Sequence, residues 1–153
     1  MATNPNLNPK IPKYEKNNID RKSFDTKSNS YEQSKKPFFP DGFLTVNALT
    51  KEAEERGKQF AENKLSIAQM RQFYGEIKYL ERLLEVENFN DILPLIKMLK
   101  SKASYKTYNN KIPPIFKAFI HDAIERINDK KSFSDFCKLF EAIVGFYYSN
   151  NPK

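Results

Sequence analysis

A chain of 153 residues has the commonest size of a single globular domain, which argues against two full domains and against a small disulfide-stapled scaffold. Its 26 Lys+Arg against 19 Asp+Glu give a formal charge of +7, which points toward an anionic partner and says little about fold. One cysteine, Cys137, and one histidine, His121, exclude an intrachain disulfide and leave the usual zinc ligand sets unfilled.

Residues 1–36 hold eight Lys+Arg, four Asp+Glu, three prolines and only scattered apolar side chains such as Leu7, Ile11, Ile19 and Phe24. Too little can be buried there to offset roughly 1–2 kcal/mol of backbone entropy per ordered residue. The expectation is a flexible, disordered basic arm over residues 1–42 and an α-helical domain over 43–153. The arm either tethers nucleic acid or simply solubilises the chain. Phe38, Phe39 and Phe43 at the junction are expected to cap the domain's own core, with docking on a neighbouring copy as the alternative. The hydrophobic content of 39% is low for a soluble domain, but 13 Phe and 8 Tyr supply ample bulk, so the deficit is local to the arm.

From Leu44 onward apolar residues recur with helical period, and each break carries cap or proline chemistry. The first helix, roughly 46–63, aligns Val46, Leu49, Ala53 and Phe60 and holds Gly57 as a weak point. Ser66 and Gln69 have the spacing of a capping box and open a second, with Ile67, Met70, Phe73, Tyr74, Ile77, Leu80 and Leu84 on one stripe. The third begins near Asn90 or Asp91, carries Pro94 in its first turn, buries Ile92, Ile96, Leu99 and Ala103, and ends at Asn109 and Asn110. Pro113 and Pro114 suit the start of a fourth, whose face is Phe116, Phe119, Ile120, Ala123, Ile124 and Ile127. In the fifth, Ser132 and Asp135 offer an N-terminal box, and Phe133, Phe136, Cys137, Phe140, Ile143, Val144 and Tyr147 run for four turns. Nothing alternates with period two, so the fold class is all-α, a bundle of about five helices.

The chemistry of an enzyme is missing. The glycines (Gly42, Gly57, Gly75, Gly145) are isolated from one another, so no loop cradles phosphate. His121 stands beside Asp122 with no obvious nucleophile nearby, Cys137 lies in an apolar stripe as a small hydrophobe, and Glu76, Glu81 and Glu85 alternate with Lys78 and Arg82 like a solvated face. No metal, cofactor or small-molecule substrate is expected. No stretch approaches the ~18 apolar residues of a membrane span, and MATNPNLNPK lacks the apolar segment of a secretory signal, so a cytoplasmic location is expected.

One stretch is strongly asymmetric. Between Asp91 and Asp122 stand six lysines (Lys97, Lys100, Lys102, Lys106, Lys111, Lys117) and not one acid, together with Tyr105 and Tyr108. Lysines bind phosphate by releasing counterions, and aromatic rings stack on bases or contact sugars. At ~100° per residue Lys97 and Lys100 fall on one flank of the apolar stripe, and Lys102 and Lys106 on the other. Two readings stay open: a nucleic-acid surface, or lysines that snorkel along the bundle rim while Tyr105 packs inward.

Three segments carry a resemblance. Ser66-Ile-Ala-Gln-Met-Arg71 with Phe73, Leu95-Ile-Lys-Met-Leu-Lys100 leading to Lys102-Ala-Ser-Tyr105, and Phe133 through Phe140-Glu-Ala-Ile-Val-Gly-Phe146 resemble, in order and spacing, the small subunit of type III-A CRISPR effector complexes, the Csm complexes. That family ends in a helix reading aromatic, x, x, aromatic, Glu-Ala-(Ile/Val/Leu)-Val-Ala-Tyr. Here Gly145 replaces the Ala and Phe146 the Tyr. Leu65, Ser66 and Arg71 are the counterparts of the family's Thr-Thr-Ser-x-x-Arg helix start, with Arg71 five positions after Ser66, and Ala103 with Tyr105 matches its Leu-x-Tyr element. Asn109 stands where that family carries an arginine, and Lys106 or Lys111 is the candidate substitute. The resemblance spans about residues 44–148.

It implies a non-catalytic helical subunit, stacked in several copies, with neighbouring copies of itself and other effector-complex subunits as partners. It also implies contacts to the backbones of target RNA and guide RNA, leaving base pairing to read sequence. Lys64, Lys97, Lys100, Lys102, Lys106 and Lys111 are candidate phosphate contacts because they flank helix ends and, Glu62 before Lys64 apart, have no acids near them in sequence. Arg71, just past a helix start that favours anions, either contacts RNA or pairs with Glu141. The alternative from another class is a helical adaptor whose basic surface meets an acidic protein. A free-standing helix-turn-helix regulator is disfavoured, since no recognition helix with clustered base-reading side chains is apparent.

Overall fold

Each of the five apolar stripes becomes a helix in a computed structural model whose described residues are 42–151. The expected arm lies outside them apart from Gly42, as do Phe38 and Phe39. A π-helical turn, Ala48–Glu52, runs straight into α1 (Ala53–Glu62), followed by α2 (Ile67–Leu83), α3 (Phe89–Tyr108), α4 (Pro114–Glu125) and α5 (Lys130–Asn150). The described residues contain no strand. α1 packs most extensively on α5, α3 on α4, and α2 bridges α5 and α3.

The core is the set of stripes read from the periodicity, with aromatic rings at its centre. Phe116 meets Phe60 and Phe73 edge-on at 5.0 Å each, and Phe119 stacks on Phe140 at 6.2 Å. Phe43 is buried against Phe136 at 5.8 Å, so it caps its own core. Such pairs add about 0.5–1.5 kcal/mol each beyond area burial.

Local details depart from expectation in four places. Val46 is 82% exposed and Ala48 is buried instead, because the π-helical turn holds an extra residue per turn and shifts the phase of everything before Ala53. α3 starts at Phe89 behind Asn88, so Pro94 stands beyond the first turn, where it has no N–H to return to the Asn90 carbonyl. The box that opens α5 is Asp129 with Ser132, not Ser132 with Asp135: Asp129 Oδ1 accepts from the Ser132 N–H at 2.7 Å, and Ser132 Oγ accepts from the Asp129 N–H at 3.2 Å. Asp135 instead pairs with Lys131. At α2 only half the box forms, with Ser66 Oγ accepting from the Gln69 N–H at 3.2 Å.

Gly57 is a fifth departure. It is a contact point, because a Cβ built there would lie 2.7 Å from both the Phe146 Cβ and the Tyr147 backbone nitrogen. Its missing side chain is what lets α1 approach α5 so closely.

Two helices end on a left-handed residue. After α1, Lys64 adopts φ 63°, and the bonds Leu65 N–H to Phe60 carbonyl (3.0 Å) and Lys64 N–H to Ala61 carbonyl (3.1 Å) close a Schellman motif. After α3, Asn110 adopts φ 55° in the same motif, with Lys111 N–H to Lys106 carbonyl at 2.7 Å and Asn110 N–H to Thr107 carbonyl at 3.0 Å. Asn suits the left-handed position; Lys does not. The Tyr147 hydroxyl donates to the Leu65 carbonyl and accepts from Asn151 Nδ2, which ties the end of α5 to the α1–α2 turn.

Candidate nucleic-acid interface

α3 carries the lysine-rich stretch, and its two flanks meet different neighbours, as the helical angles require. On the α4 side, Lys97 Nζ donates to the Ile124 and Ile127 carbonyls at 2.8 and 2.9 Å. It thereby brings a charged donor to the carbonyls where α4 ends, of which that of Ile124 also accepts from the Ile127 N–H at 3.2 Å. Lys100 pairs with Glu125, and that contact holds the exposed Glu125 carboxyl below its ordinary range. On the α2 side, Lys102 pairs with Glu76. Lys106 Nζ donates to Gln69 Oε1 at 2.7 Å and Gln72 Oε1 at 2.6 Å and lies 6.0 Å from the Phe73 ring centre. The stretch is free of acids in sequence but not in space, because the acids arrive from α2 and α4.

Three of the expected contacts keep their charge open to solvent. Lys64, Arg71 and Lys111 are exposed, and their side chains have no hydrogen-bond or ionic partner among the described residues. Glu141 is not the partner of Arg71; Lys78 Nζ binds Glu141 at 3.1 Å and Glu81 at 3.0 Å. The hydrogen bond to Glu81, and then that to Glu141, raises the Lys78 pKa above its ordinary value.

These open cations share one end of the bundle. Lys64 precedes the start of α2, Arg71 lies in its second turn, and the Lys106 side chain reaches Gln69 and Gln72 of the same two turns. Lys111 follows directly, its N–H bonded to the Lys106 carbonyl. Tyr105 and Tyr108, 69% and 85% exposed, stand on the last turn of α3, so Tyr105 does not pack inward. Tyr79 and Met98, also exposed, carry no signal in sequence alone because they read as ordinary members of mixed helices.

His121 does have a hydroxyl beside it. Its Nε2 lies 3.0 Å from Ser104 Oγ and 3.0 Å from the Lys100 carbonyl. A carbonyl only accepts, so Nε2 carries the proton and is not a base toward Ser104. Burial lowers the His121 pKa, against the hydrogen bond to Lys100, which raises it. An unfolded chain therefore binds more protons than the folded one between the two pKa values, and stability falls as pH drops below the ordinary histidine range. Urea unfolding at pH 7 and pH 5 should show a lower midpoint at pH 5, and His121→Gln should shrink that difference; an undiminished difference would assign it to other groups. Cys137 is buried in α5, which pushes its thiol up to about 12 and leaves it without thiolate character. Among the described residues no cluster of His, Cys, Asp and Glu could hold a metal ion, and no helix is long and apolar enough to cross a membrane.

The family model described as Csm2 Type III-A matches residues 44–153. No curated protein and no solved structure matches the chain.

Proposed function

Because this chain belongs to the Csm2 Type III-A family, a structural subunit of a type III-A CRISPR effector complex with other Csm subunits as its partners, we propose that it works there without catalysing a reaction. In this reading it stacks in several copies in the cytoplasm and holds target and guide RNA by their backbones. The observation that carries the reading is the group of three unpartnered cations, Lys64, Arg71 and Lys111, beside Lys106 at one end of the bundle. We assign backbone phosphates to these four. Lys97 and Lys100 are spent on α4, and Lys102 is spent on Glu76.

Lys64 is the most telling of the four. It occupies a left-handed backbone position that costs a non-glycine residue about 1–2 kcal/mol, and its ammonium has no partner among the described residues. A residue held against local preference, with its functional group facing out, is a candidate for external use. Lys64→Gly should therefore raise stability by ~1 kcal/mol. In a reconstituted complex the same substitution should lower the salt slope of target-RNA binding by about one for each phosphate left without its lysine.

Adding Arg71→Ala and Lys111→Ala should lower the slope further, whereas Lys97→Met should lose stability and keep it. A slope unchanged by the triple variant at full incorporation would overturn backbone contact by these residues. A complex that then stayed assembled through ribonuclease treatment would favour an adaptor that meets only protein.

A further inference from the structure

A cleft of about 520 Å³ runs along the seam of α2 and α3, next to a smaller hollow that Lys106 borders, and its use is not explained by backbone contacts. Its walls are Tyr79 and Glu76 from α2 and Leu95, Met98, Lys102 and Tyr105 from α3. Buried Leu80 and Leu99 form its floor. Tyr79, Met98 and Tyr105 are 54%, 62% and 69% exposed, so three large apolar side chains stand open around one cleft. Neither tyrosine makes a ring contact or a hydrogen bond among the described residues.

We propose that this cleft seats an unpaired nucleobase of the RNA strand that the neighbouring cations hold by its phosphates. The proposal rests on the RNA-backbone reading and adds a base site to it. A base offers two apolar faces and a polar edge. The flat ring of Tyr105 and the thioether of Met98 suit the faces, and Glu76 and Ser101 at the margin suit the edge. The occupant is chosen by charge. Lys102 is neutralised within the cleft by Glu76, so the charge that counts is that of Lys106, which borders the smaller hollow sharing Glu76 and Lys102 with the cleft, with Lys111 and Tyr108 following within a few residues. A polyanion with planar groups meets both features, while a partner helix would use only the apolar floor.

The test compares two labelled polymers on the full-length chain at low salt: a short single-stranded oligouridylate and an abasic ribose-phosphate chain of the same length. Stacking predicts that the base-bearing polymer binds about tenfold tighter. With no tryptophan in the chain, tyrosine emission should also be quenched by the base-bearing polymer alone. Tyr105→Ala, at an exposed position that leaves the core intact, should erase the difference, and Tyr105→Phe should keep it. Equal affinity for the two polymers, or a difference untouched by Tyr105→Ala, overturns the base site and leaves backbone binding standing. Binding of neither polymer overturns both. Tyr79→Ala and Tyr105→Ala variants that shed a Csm subunit while binding oligouridylate as before would give the cleft to a protein and overturn the proposal.

Discussion

Phe119→Ala should lower the free energy of unfolding by about 3–5 kcal/mol, the usual cost of emptying a fully packed aromatic site. Phe119 has no exposed surface and lies within 5.4–6.4 Å of the rings of Phe60, Phe116, Phe136 and Phe140. Those four rings come from α1, α4 and α5, so the cavity would loosen three helices together. Domains of this size hold about 5–15 kcal/mol in total, and the loss would consume a large part of it. Urea denaturation should show a much lower midpoint with little change in slope, and Phe119→Leu should recover over half the loss. A loss under about 1 kcal/mol would mean that the ring cluster is not the centre of the core.

Gly57→Ala should also destabilise, against helix propensity. In an exposed helix the change would stabilise by about 0.5–1 kcal/mol, since alanine is the better helix former. At this position the new methyl would stand 2.7 Å from the Tyr147 backbone nitrogen and 2.9 Å from the Phe146 carbonyl carbon. Backbone cannot rotate away as a side chain can, so α5 must shift. Overpacking of this kind costs about 1–3 kcal/mol or more, and it falls on the most extensive helix pair. The net expectation is a loss of roughly 2 kcal/mol. Gly75 and Gly145 are the internal controls: both are helical with nothing near the added Cβ, so Gly75→Ala and Gly145→Ala should each stabilise by about 0.5–1 kcal/mol. Thermal melts of the three variants, with the sign reversed only at Gly57, would establish the close approach; a stabilised Gly57→Ala would refute it.

The candidate interface was partly legible in the sequence. Lys64, Arg71 and Lys111 flank helix ends, where caps and turns expose side chains, and of the two readings open for Arg71 the pairing with Glu141 is the one the structure removes, since Glu141 meets Lys78. Lys97, Lys100 and Lys102 share the same acid-free run, yet each finds an acceptor supplied by another helix. Glu76 lies 26 positions before Lys102, and Glu125 lies 25 positions after Lys100. Proximity along the chain says nothing about such encounters. The His121–Ser104 contact escaped for the same reason, since it joins α3 to α4 across 17 residues.

What the sequence determined by itself is what short-range physics controls. The 3.6-residue period, the cap at Ser66, the proline start at Pro114 and the asparagine stop at Asn110 act within one or two turns, so helix number, order and buried faces follow from local pattern. The tertiary structure alone decided where helices touch and which charges cancel. Gly57 reads as a defect in α1 until α5 lies against it. Val46 reads as core until the π-helical turn rotates it outward. The lysines of α3 read as one basic patch until α2 and α4 divide them, because desolvation and ion pairing depend on distances in space that only packing sets.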